Sequence, residues 1–553
     1  LAGVDPVQPA ETISTSEVSM AMHPDPGRFI EETVDRVAPL EKAYNLAEWD
    51  AAVSGSGVAN ERVQEAQAAL LRFWADPDRH AMAVEYDGRS EPQVATTARQ
   101  VHLIYQESAK AQQDEQTIER LTELEALLRN HYYNFRGQMD GEAKSDNELD
   151  SILADSHDPA EVKAAWEASK QVGVEAAGLI RQLAHVRNAA ARAQGFRDHF
   201  QKALRLDEID EDMLLRVFKE LEAASEGPYA ALKNELDRRR ASLFGIQPDD
   251  LRPWHFGDPF FQRVPKTGTI DMDALFTDKD PTALATTTYD GLGIEVRDIL
   301  ARSDLYPRPG KNQHAFCIDI DRSGDVRTLN NLLPNLRWNA TLHHELGHAA
   351  YDIHIDPDLP WLLRAPSHTL TTEAVAQLMG GLVQDRQWLT QVAEVPASEA
   401  ESVAEAAAEH VRAQNLIFIR WCMVMTTFER ALYADPDADL DSLWWELVGR
   451  YQHVHRPDGR HAPDWAAKYH LALAPVYYHN YALGLLVTAQ FNWHIRRAAG
   501  GFVGKIAAGD WLKKQVFEPG ASQVWTDHVI AATGEALNPS YFVSASAGAP
   551  GSA

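Results

Sequence analysis

Cysteine is nearly absent: Cys317 and Cys422 are the only two in 553 residues. At most one bridge can form, which excludes a disulfide framework, Cys-pair zinc motifs and iron–sulfur clusters. Positive charge is also scarce. Lys and Arg total 52 against 81 Asp and Glu, a formal net charge of −29. Such a surface repels phosphate backbones and anionic lipid, so neither nucleic acid nor a membrane surface is an expected partner. Long apolar runs are missing too, and none approaches the roughly 20 residues of a membrane-spanning helix. The remaining composition, 45% hydrophobic and 24% charged, is that of an ordinary globular chain. At this length it buries a large core unaided.

Most of the chain reads as helix. Apolar residues recur at spacings of three and four through 29–54, 58–75, 92–131, 158–193, 207–243, 397–434 and 475–498. Pro–Asp and Gly punctuation, including Gly227-Pro228, separates elements. Residues 1–27 read as a mobile tail, 28–540 as a single domain, and 541–553 as a flexible tail. One stretch breaks the helical pattern. Residues 314–329 read as two short strands around an Arg322–Asp325 turn, followed by a helix from about Asn335 to Ile353. The compartment is left open between the cytoplasm and export with a removed signal.

That last helix carries His343-His344-Glu345-Leu346-Gly347-His348. Residues four apart share a helix face, so His344 and His348 can grip one small cation, and Glu345 can reach a water held there. Imidazole suits zinc, and three protein ligands with one open position is the hydrolytic arrangement. Two residues compete for the third ligand. His354 stands six residues after His348, but six helical steps turn about 600°, away from the ligand face. Glu373 lies 29 residues after His344 in a second amphipathic segment that can pack beside the first. The histidines at 453, 455 and 461 lack acidic or Cys companions and read as an exposed polar turn. The sequon at Asn339 lies on the helix that enters the site and is discounted.

These residues resemble a known family. The doubled-His motif at 343–348 and Glu373-Ala374-Val375 are similar to the zinc motifs of the angiotensin-converting enzyme family of dipeptidyl carboxypeptidases. His314-Ala315, Trp444-Trp445-Glu446-Leu447, Ala467-Lys468-Tyr469-His470 and the segment Pro475 through Tyr481 resemble further family motifs in the family's order. The resemblance implies a mostly α, two-lobed metallopeptidase with a deep central cleft and a small sheet beside the zinc helix. It implies one Zn2+ on His344, His348 and Glu373, with Glu345 as general base. It further implies Tyr481 and His470 as oxyanion donors and His314 and Ala315 as a strand edge for the peptide. Lys468 and Tyr478, with Gln262 as a weaker match, would anchor the substrate's terminal carboxylate.

The implied activity is release of dipeptides from the C-termini of oligopeptides. A zinc endo-oligopeptidase would share the motif helix but not need Lys468. A decayed peptide-binding protein need not keep Glu345 and Tyr481 together. Three positions depart from the family pattern. Val448 and Asn480 stand where animal members place chloride-binding arginines, so chloride dependence is expected to be weak or absent. Gln377 replaces an Asp that supports a zinc-ligand His. The preferred dipeptide and the oligomeric state are not legible.

Overall fold

A computed structural model describes residues 25–88, 94–265 and 273–547. The described chain is mostly helical, with two small two-stranded antiparallel sheets. No helix among the described residues is long and apolar enough to cross a membrane.

The expected N-terminal tail over 1–27 lies outside the described residues up to 24. From Pro26 the chain is already helical, because Asp25 accepts a hydrogen bond from the Gly27 N–H and caps the helix Pro26–Ser54. At the other end the chain departs from the expected flexible tail. Residues Ser540–Ala547 form a helix with Phe542 buried in the main core, and the rest of that tail lies outside the described residues.

Two expected helices are each a pair. The stretch expected as helix over 92–131 contains Ala95–Ala111 and Glu115–Asn134, because Asp114 caps the second through the Thr117 N–H. The stretch 158–193 is interrupted at Gln171 between Pro159–Lys170 and Val172–Ala193. Gly227-Pro228 separates nothing, since Pro228 sits inside the continuous helix Glu211–Phe244. Arg420 donates nearby to the Glu222 carbonyl and the Ser225 hydroxyl.

The expected hairpin is present. Phe316–Asp319 pairs with Val326–Leu329, and Arg322 and Gly324 adopt positive φ in the turn. A second hairpin, Gly137–Met139 with Glu142–Lys144, turns at Asp140-Gly141.

The core is divided. One large apolar cluster runs through most of the body. The N-terminal helices enclose a separate cluster, built around Phe29, Phe73, Tyr86 and Ile104, that meets the body at Leu362. A third, small cluster packs Trp49 against Ile320 and Leu329, the hairpin end of the body.

Candidate metal centre

The motif residues lie on the helix Leu336–Ile353, which Asn335 starts by accepting from the Trp338 N–H. It packs closely on the helix Thr369–Gly381, which begins at His368. Small residues set the approach. A Cβ on Gly347 would stand 2.8 Å from the Ala376 Cα, and one on Gly380 would stand 3.2 Å from the His344 Cβ. Only glycine permits that distance, and the distance brings Glu373 to the histidines.

The Glu373 carboxylate lies 3.7 Å from both His344 Nε2 and His348 Nε2. Ligands at tetrahedral zinc distances stand about 3.4 Å apart, so this spacing leaves room for an ion between them rather than for direct hydrogen bonds. Among the described residues these three form the single group able to hold a metal. His354 is not part of it: its Nδ1 bonds the Ala350 carbonyl and its ring lies against Phe517.

The local electrostatics fit a cation. Burial holds His344 down to about 4, and burial with His344 nearby holds His348 down to about 3, so both rings are neutral ligands at physiological pH. Burial, reinforced by Glu373, pushes the Glu345 carboxyl up to about 8. Two neutral imidazoles facing two desolvated carboxyl groups is an arrangement that a divalent ion stabilises. His348 Nδ1 shares a 2.6 Å hydrogen bond with the Thr372 hydroxyl, which fixes the ring. Gln377 does not take that part, since it accepts from the Thr488 hydroxyl. His343 is structural: fully buried, it bonds the Asn339 carbonyl and Thr288 and packs edge-on against Trp388. Asn339 is itself fully buried.

A cavity of about 640 Å³ opens over the three ligands and Glu345. Its other wall is the hairpin, through Ala315, Phe316, Cys317 and Asp319. The strand Phe316–Asp319 pairs on one edge only among the described residues. Ala315 lines the cavity; His314 is exposed, just ahead of the strand, with its backbone N–H on Asn312.

The helix Tyr478–Ala499 brings in the phenols. Burial pushes Tyr481 up to about 12, so it stays a proton donor, and Glu373 is among the charges it feels. Tyr477, which the motif reading passed over, stands 5.0 Å from the Tyr481 ring, and burial, with the charges of Glu373 and Asp207, pushes its phenol up. Its signal was weak, because one Tyr beside two motif tyrosines carries no spacing of its own.

Lys468 is 7% exposed, and its Nζ donates to Gln262 Oε1 at 2.9 Å. Gln262 is held by a turn in which buried Asp258 accepts from the backbone N–H groups of Phe260, Gln262 and Arg263. The ammonium also faces the rings of Phe260, Trp421 and Tyr478 at 5.2, 5.5 and 5.8 Å. His470 packs against Tyr478 with ring centroids 5.0 Å apart, and burial beside Lys468 holds it down to about 4. Lys468, Gln262, Tyr478 and His470 are thus gathered in one place.

Val448 lines a cavity of about 20 Å³ with Trp444 and Lys170, a buried lysine that the sequence reading missed. Arg450 is elsewhere, in a bidentate pair with Glu222. Asn480 donates toward the Asp207 carboxylate at 3.4 Å. Cys317 and Cys422 are both free.

A helical body with an HExxH helix crossed by a glutamate-bearing helix defines the class of helical metallopeptidases. The profile of the family described as angiotensin-converting enzyme matches residues 23–232 and 309–540, and the chain belongs to that family of zinc metallopeptidases. The chain is 22% identical over 435 residues to an angiotensin-converting enzyme of Haematobia irritans exigua, covering 70% of each chain. It is 23% identical over 423 residues to that of Rattus norvegicus, spanning 69% of this chain but only 32% of the rat protein. With that of Theromyzon tessulatum it shares 20% over 385 residues, 62% of that protein. Gln262 falls between the two matched segments, so its place beside Lys468 rests on geometry alone.

Proposed function

We propose that this chain is a zinc-dependent peptidyl-dipeptidase that removes dipeptides from the free C-termini of oligopeptides. The observation that carries this reading is the Lys468–Gln262 pair. A buried cation oriented by a neutral amide, in a chain of net charge −29, is an anchor for a carboxylate.

His344, His348 and Glu373 would hold the metal, which when bound supplies Lewis acidity to a carbonyl and a water. The peptide adds to the free edge of Phe316–Asp319 through backbone hydrogen bonds, beginning at His314 and Ala315. Its terminal carboxylate reaches Lys468, Gln262 and Tyr478. Glu345 takes the proton from the attacking water and returns it to the leaving amine. The Tyr481 phenol donates to the oxygen on which negative charge develops, with His470 supporting from the carboxylate side.

The test is a paired assay with zinc analysis. Peptides with a free C-terminus are expected to lose dipeptides stepwise, and the same peptides as C-terminal amides to react poorly. Equal rates on both would overturn the reading in favour of internal cleavage, and bound peptide without turnover would favour a decayed site.

A further inference from the structure

Trp421 sits in the middle of the long helix Ala397–Ala434 and is wholly buried. Its indole N–H is a strong donor, yet it has no hydrogen-bond partner. An orphaned buried donor of this kind is destabilising unless something compensates it. The ring is not lost in featureless core. It stands edge-on to Tyr478, with centroids 5.9 Å apart and planes at 88°. It is 5.3 Å from Phe260 and 5.8 Å from Trp444. The Lys468 ammonium faces it at 5.5 Å. Trp421 therefore belongs to the cluster that gathers Lys468, Gln262 and Tyr478. The Tyr478 phenol, raised by burial, feels the Trp421 side chain as an opposing influence, so the unpaired indole donor lies near it without a formed hydrogen bond.

We propose that Trp421 is a positioning residue for carboxylate recognition: as a carboxylate enters, its unpaired N–H closes onto the Tyr478 oxygen, so that Tyr478 turns its own O–H outward to the substrate's terminal carboxylate. A phenol has one proton and can both donate and accept. Accepting from the indole fixes its rotor and strengthens its outgoing bond, because linked hydrogen bonds polarise one another in a dry pocket. Gln262 follows the same logic: its Oε1 accepts from Lys468, which leaves its amide N–H₂ to donate to the ligand. The cluster would then offer an ammonium and an amide that already orient each other, and a phenol O–H that Trp421 orients as the carboxylate enters.

The inference rests on the carboxypeptidase reading above, and the experiment separates the two. Trp421 is replaced by β-(3-benzothienyl)alanine, which keeps the bicyclic shape and exchanges the N–H for sulfur. Trp421→Phe serves as a second variant. Zinc content and thermal midpoint are measured alongside. For free-acid peptides the isostere is expected to raise KM about five- to tenfold, the usual effect of losing one hydrogen bond, with kcat nearly unchanged. Rates on the amidated peptide should not move. An unchanged KM in a folded, zinc-loaded isostere would overturn the inference while leaving the wild-type preference for free acids intact. So would a fall in kcat common to acid and amide, which would mean a merely structural residue. A wild-type enzyme with no preference for the free acid would overturn the underlying reading, and this inference with it.

Discussion

His348 Nδ1 and the Thr372 hydroxyl lie 2.6 Å apart, and Thr372 is the residue immediately before Glu373. One turn of one helix thus carries one proposed metal ligand and also fixes the ring of another. Thr372→Val keeps the shape and removes the partner. Zinc affinity should fall roughly 10- to 100-fold, as seen for such supporting bonds. Competition with a chelator measures it, and an unchanged affinity would show that the ring is held by packing alone.

Glu345 is the group assigned to proton transfer. Glu345→Gln should retain zinc and lose at least about 10²-fold in turnover, the lower range for a missing general base. Metal analysis and steady-state rates on one sample give the answer. Near-normal turnover would remove Glu345 from the mechanism.

Gly347 explains why the two helices meet so closely. In Gly347→Ala the new methyl must displace the Ala376 backbone from 2.8 Å. The expected cost is about 1–3 kcal/mol, typical of overpacking, together with weaker zinc binding as Glu373 moves away. Denaturant unfolding with and without zinc checks both.

Lys468 predicts an alkaline limb. Burial lowers its ammonium from the ordinary value to about 8, so the charged form, the one proposed to bind a carboxylate, is lost as pH rises through that value. The ratio of kcat/KM for free-acid over amidated peptides should therefore fall above pH 8 and be flat below pH 7. The ratio cancels titrations at the metal centre, which act on both substrates alike. A ratio constant to pH 9 would mean that the carboxylate is anchored by neutral donors only.

Chloride gives the fifth test. Asn480 is turned toward an anion, Asp207, and Val448 offers no donor. At fixed ionic strength, with a larger inert anion replacing chloride, activity should stay flat. Fixing the ionic strength matters because salt also screens Lys468. A saturable rise would assign an anion to the small cavity beside Lys170.

The parts of this molecule legible in its sequence were those that carry a fixed spacing. HExxH places three side chains by helix geometry alone, and Glu373 followed once a ligand was missing. The hairpin at 316–329 was visible because alternation broke a helical pattern. The hairpin at 137–144 had a readable Asp140-Gly141 turn, but its strands are three residues each and too short for a period. Helix ends failed where a cap decides, as at Asp114, and Pro228 misled because the long helix Glu211–Phe244 runs on through it. Lys170, Trp421 and Thr372 were invisible for another reason. Each matters through a neighbour far away in sequence or through an exact rotamer, and neither leaves a local pattern.

The separation of the N-terminal cluster from the main core bears on cooperativity. Residues around Phe29 and Tyr86 bury one another, and much of what ties them to the body is polar: Arg322 with Glu41 at 2.7 Å, Lys42 with Asp321 at 2.9 Å, and Arg99 with Glu208. Two apolar nuclei joined by these ion pairs, with Leu362 and Trp49 as the smaller apolar links, are expected to melt as two units. Calorimetry should return a van't Hoff enthalpy below the calorimetric one, and added salt should shift the first transition more than the second. Glu41 lines the cavity over the ligands, so the first unit to melt would uncover the cleft while the metal ligands, all in the second, stay in register.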